Sequence, residues 1–239
     1  MNLAIFGANG RTGRVLTARA LAAGHTVTAV TRHPEEFPLH DALLTVFRGD
    51  VRDPAPVDGA IAGTDAVLSV LGVPYGRKPI TMYSEGMANI IRAMQRHQVR
   101  RLLAVTSTAV DRRYDNGGGF FFERVLKPLI AVSIGRTTYA DQERMETLMR
   151  DSGLDWTILR PSGLFEALEV TDFEVTDGYT TGKFTSRLDL AACMLQILDD
   201  ENSFQKTLAV TTTAVQPRLL QMMLREAVPH RRDTLTPAA

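Results

Sequence analysis

The stretch Leu3-Ala4-Ile5-Phe6-Gly7-Ala8-Asn9-Gly10-Arg11-Thr12-Gly13 decides how this chain folds. A short apolar run ends on a glycine, and from Thr12 to Ala23 apolar residues recur at helical spacing until Gly24. The succession reads as strand, turn, helix. Beyond His25, Thr26-Val27-Thr28-Ala29-Val30 is β-branched and apolar, a buried parallel strand that completes a unit of β-α-β length.

Gly7, Gly10 and Gly13 fall between that strand and that helix, where a phosphate cradle has to sit. The first lets the chain turn tightly, the second lets backbone approach a pyrophosphate, and the third lets helix and strand pack closely. The helix N-terminus then offers N–H groups to the anion. Asn9, Arg11 and Thr12 add side-chain donors. The expectation is a dinucleotide site on a Rossmann-type unit; the bland alternative is a glycine-rich turn that binds nothing. At the end of the second strand stands Thr31-Arg32-His33, and Arg32 lies 19 residues beyond Gly13. A carboxylate at that offset would meet ribose hydroxyls, whereas a guanidinium suits a 2′-phosphate. NADP(H) is therefore expected over NAD(H), with Glu35-Glu36 near enough to compete for Arg32.

The alternation continues outward. Leu44 to Phe47, Ala66 to Leu71 and Arg101 to Thr106 read as further strands, and Thr81 to His97 as a helix. Thr138 to Asp151 reads as a helix opened by a Thr-x-x-Asp cap formed by Thr138 and Asp141, followed by a strand at Trp156-Thr157-Ile158-Leu159. Ser186 and Asp189 suggest a second cap for a helix to about Leu198, before a last strand at Thr207 to Thr211. The fold class is α/β: a Rossmann-type doubly wound, mainly parallel sheet with a small C-terminal elaboration. One domain is expected over residues 1–230, its substrate region contributed by about 111–134 and 164–186, with 231–239 a loose tail.

The 239 residues, 44% hydrophobic and 23% charged, fall in the globular range. Lys plus Arg and Asp plus Glu both number 27, so no net field draws nucleic acid or an anionic membrane. Cys193 reads as a small buried hydrophobe on a helix and suits a reducing compartment. No apolar run reaches transmembrane length and no leader signal is evident at Met1-Asn2, so the expected address is the cytoplasm. His25, His33, His40, His97 and His230 are scattered, and no metal site is expected.

Taken together, the glycine loop, Gly49-Asp50-Val51, Thr106-Ser107 and Ser152-Gly153-Leu154-Asp155-Trp156-Thr157-Ile158-Leu159-Arg160-Pro161 resemble the atypical short-chain dehydrogenase/reductase superfamily. The similarity is greatest to its NmrA-like and biliverdin/flavin reductase B-like branch. The resemblance implies that Asp50 and Val51 bracket the adenine, that Leu71 and Gly72 pass beside the ribose, and that Thr106 and Ser107 lie near the nicotinamide. Asp141-Gln142 occupies the place where flavin reductase-like relatives can carry Asp-His and many NmrA-like ones lysine, so a proton-donor role does not carry over to Gln142.

Typical short-chain dehydrogenases pair a tyrosine with a lysine four residues on, which lowers the phenol's pKa. Here Tyr139 is followed by Glu143; Tyr179 and Lys183 have the spacing, but Thr180-Thr181-Gly182 between them reads as a turn. Alcohol dehydrogenation is thereby disfavoured, since it needs a positioned acid or base. A flavin, quinone or extended tetrapyrrole can take hydride into a delocalised system and its proton from water. Ser107 is the candidate catalytic contact at the reacting ring, its bland alternative a hydroxyl that satisfies local backbone.

Two classes of function follow: an NADPH-dependent reductase of a flat aromatic or quinonoid small molecule, or a non-catalytic NADP(H)-binding redox sensor acting through a protein partner. An isomerase or lyase has no catalytic constellation to recommend it. Monomer and homodimer both remain open. Asn116-Gly117-Gly118-Gly119 before Phe120-Phe121-Phe122 suggests either a lid over the acceptor or the anchor of an apolar helix at Val125 to Ile134.

Overall fold

The structure, a computed structural model, describes residues 1–73, 79–111 and 136–214. The expected lid at 116–122, the helix at 125–134 and the tail at 231–239 lie outside the described residues.

The glycine loop joins β1 (Asn2–Phe6) to α1 (Arg11–Ala22), and β2 (Thr26–Thr31) lies parallel to β1. Then follow β3 (Leu44–Arg48), α2 (Pro54–Ile61), β4 (Ala66–Ser69), α3 (Met82–His97) and β5 (Arg101–Val105). Beyond them come α4 (Arg136–Arg150), β6 (Asp155–Pro161), β7 (Gly163–Phe165), β8 (Phe173–Asp177), β9 (Phe184–Ser186), α5 (Arg187–Gln196) and β10 (Lys206–Thr212). The main sheet runs β3-β2-β1-β4-β5-β6-β10-β8, parallel except for β8, which pairs antiparallel with β10. This is the Rossmann-type, mainly parallel architecture. Strand order reverses between β1 and β4, and in such sheets the crevice at the carboxyl ends of those two strands is where ligands sit.

The central strands are continuously apolar because both faces of the sheet are covered. Leu3 and Ile5 pack on one face with Leu16 and Ala20 of α1 and Leu190 and Met194 of α5. Ala4 and Phe6 pack on the other with Val57, Met87, Ile90, Met145 and Met149 from α2, α3 and α4. The side-chain alternation of one strand thus feeds two cores.

Several local expectations change. Helix α4 starts at Arg136, so Thr138 lies inside its first turn and does not cap it. Asp141 caps a different helix: its fully buried carboxylate accepts hydrogen bonds from the backbone N–H groups of Tyr83 (2.8 Å) and Ser84 (3.3 Å) at the start of α3. It also accepts from the Ser84 hydroxyl and from Arg144 at 3.0 Å. Ser186 does cap α5, accepting from Asp189 N at 2.9 Å. Asp189 does not reach back, however; its carboxylate binds Thr171 N at 2.7 Å and the hydroxyls of Thr171 and Thr212, tying a loop and β10 to the helix start.

Sequence reading missed α2, although Asp53 accepting from Ala55 N ahead of Pro54 is an ordinary helix start. It also missed the small parallel β7-β9 sheet and the edge strand β8. At the far end of the sheet, buried Arg101 donates to the carbonyls of Ile197 and Leu198 just past α5, both at 2.7 Å, and lies 4.6 Å over the Phe204 ring. Burial pulls its guanidinium down to about 10.

Candidate functional site

One continuous cleft of about 1100 Å³ runs along the carboxyl ends of β2, β1, β4, β5 and β6. From β2 to β6 it crosses four strand spacings of about 4.8 Å, roughly 19 Å in all. Gly7, Asn9, Gly10, Arg11 and Thr12 form its floor, with Arg32, Asp50 and Val51 toward β2 and Leu71, Gly72, Thr106 and Ser107 toward β5. Of the sequence-predicted cofactor residues, only Gly13 is not in its lining.

Gly13 works from behind. A Cβ on it would stand 2.2 Å from the Gly7 carbonyl oxygen and 2.6 Å from that of Ala8, so only glycine lets α1 press this close to the loop. Gly7, at φ +80°, meets the neighbouring strand's end: its Cβ would lie 2.7 Å from the Val70 carbonyl oxygen. Helix α1 has no side-chain cap and no acidic residue in its first turn, which leaves its positive end facing the cleft. Arg14 holds the loop by donating from Nε to the backbone oxygen of Asn9 (3.1 Å) and to its side-chain oxygen (3.0 Å). These features fit a pyrophosphate cradle.

At the β2 end, Arg32 is exposed and one of its two acidic neighbours, Glu35, is engaged elsewhere. Glu35 pairs with Arg48 at 2.9 Å and with His33 at 3.4 Å, and Arg32 makes no ion pair within 4.0 Å among the described residues. Asp50 is gripped by Arg52, whose guanidinium donates to it at 2.8 and 3.2 Å. Those hydrogen bonds, with the Arg52 and Arg32 charges behind them, hold its carboxyl down at about 2. Val51 is fixed by Asn89, which donates to its carbonyl at 3.0 Å.

At the β5 end, the Ser107 oxygen accepts from Ala109 N at 3.2 Å and caps a short 3-10 turn at Thr108–Val110. The local backbone role is therefore present, and it leaves the hydroxyl proton available to donate. Thr106 borders the cleft, but its hydroxyl turns inward to Glu146 Oε1 at 2.9 Å. Glu146 is buried and bound on both oxygens by Arg160, which reaches Asp111 as well. This buried network underlies the Thr106-Ser107 segment. Its two halves, on α4 and β6, were invisible as a unit in the sequence.

The cleft continues past Ser107 along a wall the sequence reading did not resolve into residues. Thr138, Tyr139 and Gln142 of α4 line it together with Ser162, Gly163 and Leu164 and with Lys183, Phe184 and Arg187. Tyr139 is thus in the cleft, whereas its helical neighbour Glu143 is exposed and not in the lining. The Tyr179 to Lys183 segment is non-helical, as its composition suggested. Among the described residues no cluster of three or more His, Cys, Asp or Glu side chains is arranged to hold a metal ion, and no helix is long and apolar enough to cross a membrane.

Comparison with known proteins adds to this geometry. Residues 7–201 match the NAD(P)H-binding family. An uncharacterized protein of Mycobacterium tuberculosis is 27% identical over 166 residues, 69% of this chain and 15% of that protein, so the chain spans only a small part of that relative's length. An uncharacterized sugar epimerase of Bacillus subtilis is 24% identical over 220 residues, 88% of this chain and 94% of its own. Among solved structures, an anaerobillin reductase from Escherichia coli O157:H7 superposes with a TM-score of 0.70 at 21% identity, covering 91% of this chain and 100% of the other. One architecture carries these differently named proteins, so function has to be argued from the cleft.

Proposed function

The chain belongs to the NAD(P)H-binding family, and from that premise we propose that it is an NADPH-dependent oxidoreductase that reduces a conjugated acceptor such as a flavin or quinone. The observation that carries this reading is the extent of the cleft. The cleft, about 1100 Å³, has a lining that goes beyond the residues assigned to the dinucleotide to take in Tyr139, Gln142 and Leu164, which supports a second molecule beside the nicotinamide.

In this reading the Gly7 to Gly13 loop and the start of α1 hold the pyrophosphate, and Asp50 and Val51 flank the adenine. Arg32, with Glu35 already occupied by Arg48, takes the 2′-phosphate and sets the preference for NADP(H). Leu71 and Gly72 border the ribose, and Thr106 and Ser107 border the nicotinamide. NADPH bound there supplies a hydride equivalent, two electrons and one hydrogen; the acceptor gains a proton from water, and NADP⁺ and the dihydro acceptor leave. Ser107 donates its hydroxyl proton as a hydrogen bond to the acceptor's polar edge and orients it, while the Glu146–Arg160 pair holds the segment that carries Ser107 in register. The residues 1–230 act as one domain in this proposal.

The test follows NADPH oxidation at the nicotinamide absorbance with FMN, FAD, benzoquinones and naphthoquinones, with cofactor binding measured on the same sample. Acceptor-dependent oxidation that is lost in Gly10→Trp, a variant chosen to fill the cradle, supports the reductase. Tight NADPH binding with no oxidation by any acceptor overturns it in favour of a sensor.

A further inference from the structure

A second arginine governs the surroundings of Arg32. Arg48 closes β3 as the register partner of Thr31 on the neighbouring parallel strand, so it ends level with the residue before Arg32. From there its guanidinium makes two bonds: Nη1 donates to the Arg32 carbonyl at 3.0 Å and Nη2 to Glu35 Oε2 at 2.9 Å. Glu35 lies three residues beyond Arg32, in the short 3-10 turn Pro34–Glu36, and its Oε1 is 3.4 Å from His33 Nδ1. Glu35 is thus answered by Arg48, and Asp50 by Arg52, each by an arginine other than Arg32. Glu36, the other acid of the turn, makes no ion pair among the described residues.

This assignment of partners bears on cofactor choice. Three residues of chain span at most about 10 Å, a distance that an arginine and a glutamate side chain bridge together. Without Arg48, Glu35 would keep His33 as its partner and become free to pair with Arg32. Such a pair would occupy the Arg32 guanidinium and set a carboxylate where a 2′-phosphate has to come. NAD(H) carries ribose hydroxyls there instead, which a carboxylate at this strand end accepts. Resting on the reading of Arg32 as the 2′-phosphate site, we propose that Arg48 is a specificity-determining positioning residue: it withholds Glu35 from Arg32 and so sets the preference for NADP(H) without itself touching the cofactor.

The test measures dissociation constants of NADP⁺ and NAD⁺ by calorimetry at low ionic strength, on the whole chain and its variants. Arg48→Met should weaken NADP⁺ by roughly threefold to fivefold, the scale of an exposed charge pair, and leave NAD⁺ unchanged or slightly tighter. Adding Glu35→Gln to Arg48→Met should restore the original NADP⁺ affinity, whereas adding Glu36→Gln should not. Arg48 and Glu35 are 66% and 56% exposed, so the melting temperature should barely move in any of these variants.

Rescue by Glu35→Gln separates withholding from direct contact. A loss that persists in the double variant would mean that Arg48 binds the phosphate itself, and the proposal falls. It falls equally if Glu36→Gln restores binding, if both cofactors weaken in parallel, or if the protein prefers NADP⁺ and Arg48→Met leaves that preference intact. An unmutated chain that binds the two cofactors alike would overturn the reading of Arg32 as well as the role of Arg48.

Discussion

Arg160 holds both carboxylate oxygens of Glu146, Nε to Oε1 at 2.9 Å and Nη2 to Oε2 at 2.6 Å, beneath the Thr106-Ser107 segment. The acid is 1% and the guanidinium 10% exposed, and Arg150 adds a second cation to Oε2 at 2.7 Å. Removing the acid strands buried positive charge. Glu146→Leu is expected to lower unfolding free energy by about 3–5 kcal/mol in urea titrations, and Glu146→Leu with Arg160→Met by clearly less. Equal losses in the single and double variants would show that the pair is not coupled.

The cap that Asp141 places on α3 crosses from one helix to another. Asp141→Ala should destabilise the protein by about 2 kcal/mol, at the upper end for a lost cap because the carboxylate is buried. Ser84→Ala removes one of the bonds and should have a smaller effect. Thermal unfolding of the two variants checks the order.

Arg32→Ala should weaken NADP(H) binding by roughly tenfold to a hundredfold while changing NAD(H) affinity little, the usual scale for a charge-assisted bond. Calorimetric titration with the four dinucleotides decides this, and parallel losses for both cofactor pairs would remove Arg32 from the 2′-phosphate.

Asp50 gives the molecule a defined acid limb. Its carboxyl titrates at about 2 in the fold against 3.8 as a free side chain, chiefly because Arg52 donates to it. A depressed acid stabilises the fold above the unfolded value and loses that contribution as pH falls through the folded one. The stability advantage of the native protein over Arg52→Ala should therefore be constant above about pH 5, shrink between pH 4 and 2, and vanish below. Melting curves across that range, at low salt because the pair is partly exposed, test the window.

Cys193 sits in the core at 1% exposure, and burial pushes its thiol up to about 12. A thiol reagent at pH 8 should modify it on the order of 100-fold more slowly in the native protein than in urea. Rapid native labelling would mean that α5 opens readily.

How far the sequence alone reached depends on whether the physics is local. The glycine loop, its strand and its helix follow from neighbouring residues, and Arg32 is found by counting from Gly13. The Thr138–Asp141 spacing suggests a cap on Asp141's own helix, because spacing cannot reveal that α3 packs across α4 and presents its N-terminus there. The Glu146–Arg160 pair has the same character: Arg160-Pro161 was noticed as a signature, while its partner stands on another element. Gln142 stands out in the sequence only as a departure from relatives; its burial exists only once α4 is docked. The strands β7 and β9 have three residues each, and β8 is a half-polar edge, so none carries a periodicity long enough to recognise.

The cleft's charge lining also bears on how quickly ligands arrive. Arg11 lines it at the phosphate loop, Arg32 toward β2, and Lys183 and Arg187 beside β9, Arg187 pairing with Glu166 at 3.4 Å, with Asp50 the only acidic residue among its described lining. The chain carries no net charge, so its distant field is weak, yet a low-dielectric trough lined by cations focuses field lines inward. That field should act on anionic ligands over about a Debye length, some 8 Å at physiological ionic strength. Added salt should then slow their association and leave their dissociation nearly untouched, a kinetic signature of where the charges sit that the neutral total conceals.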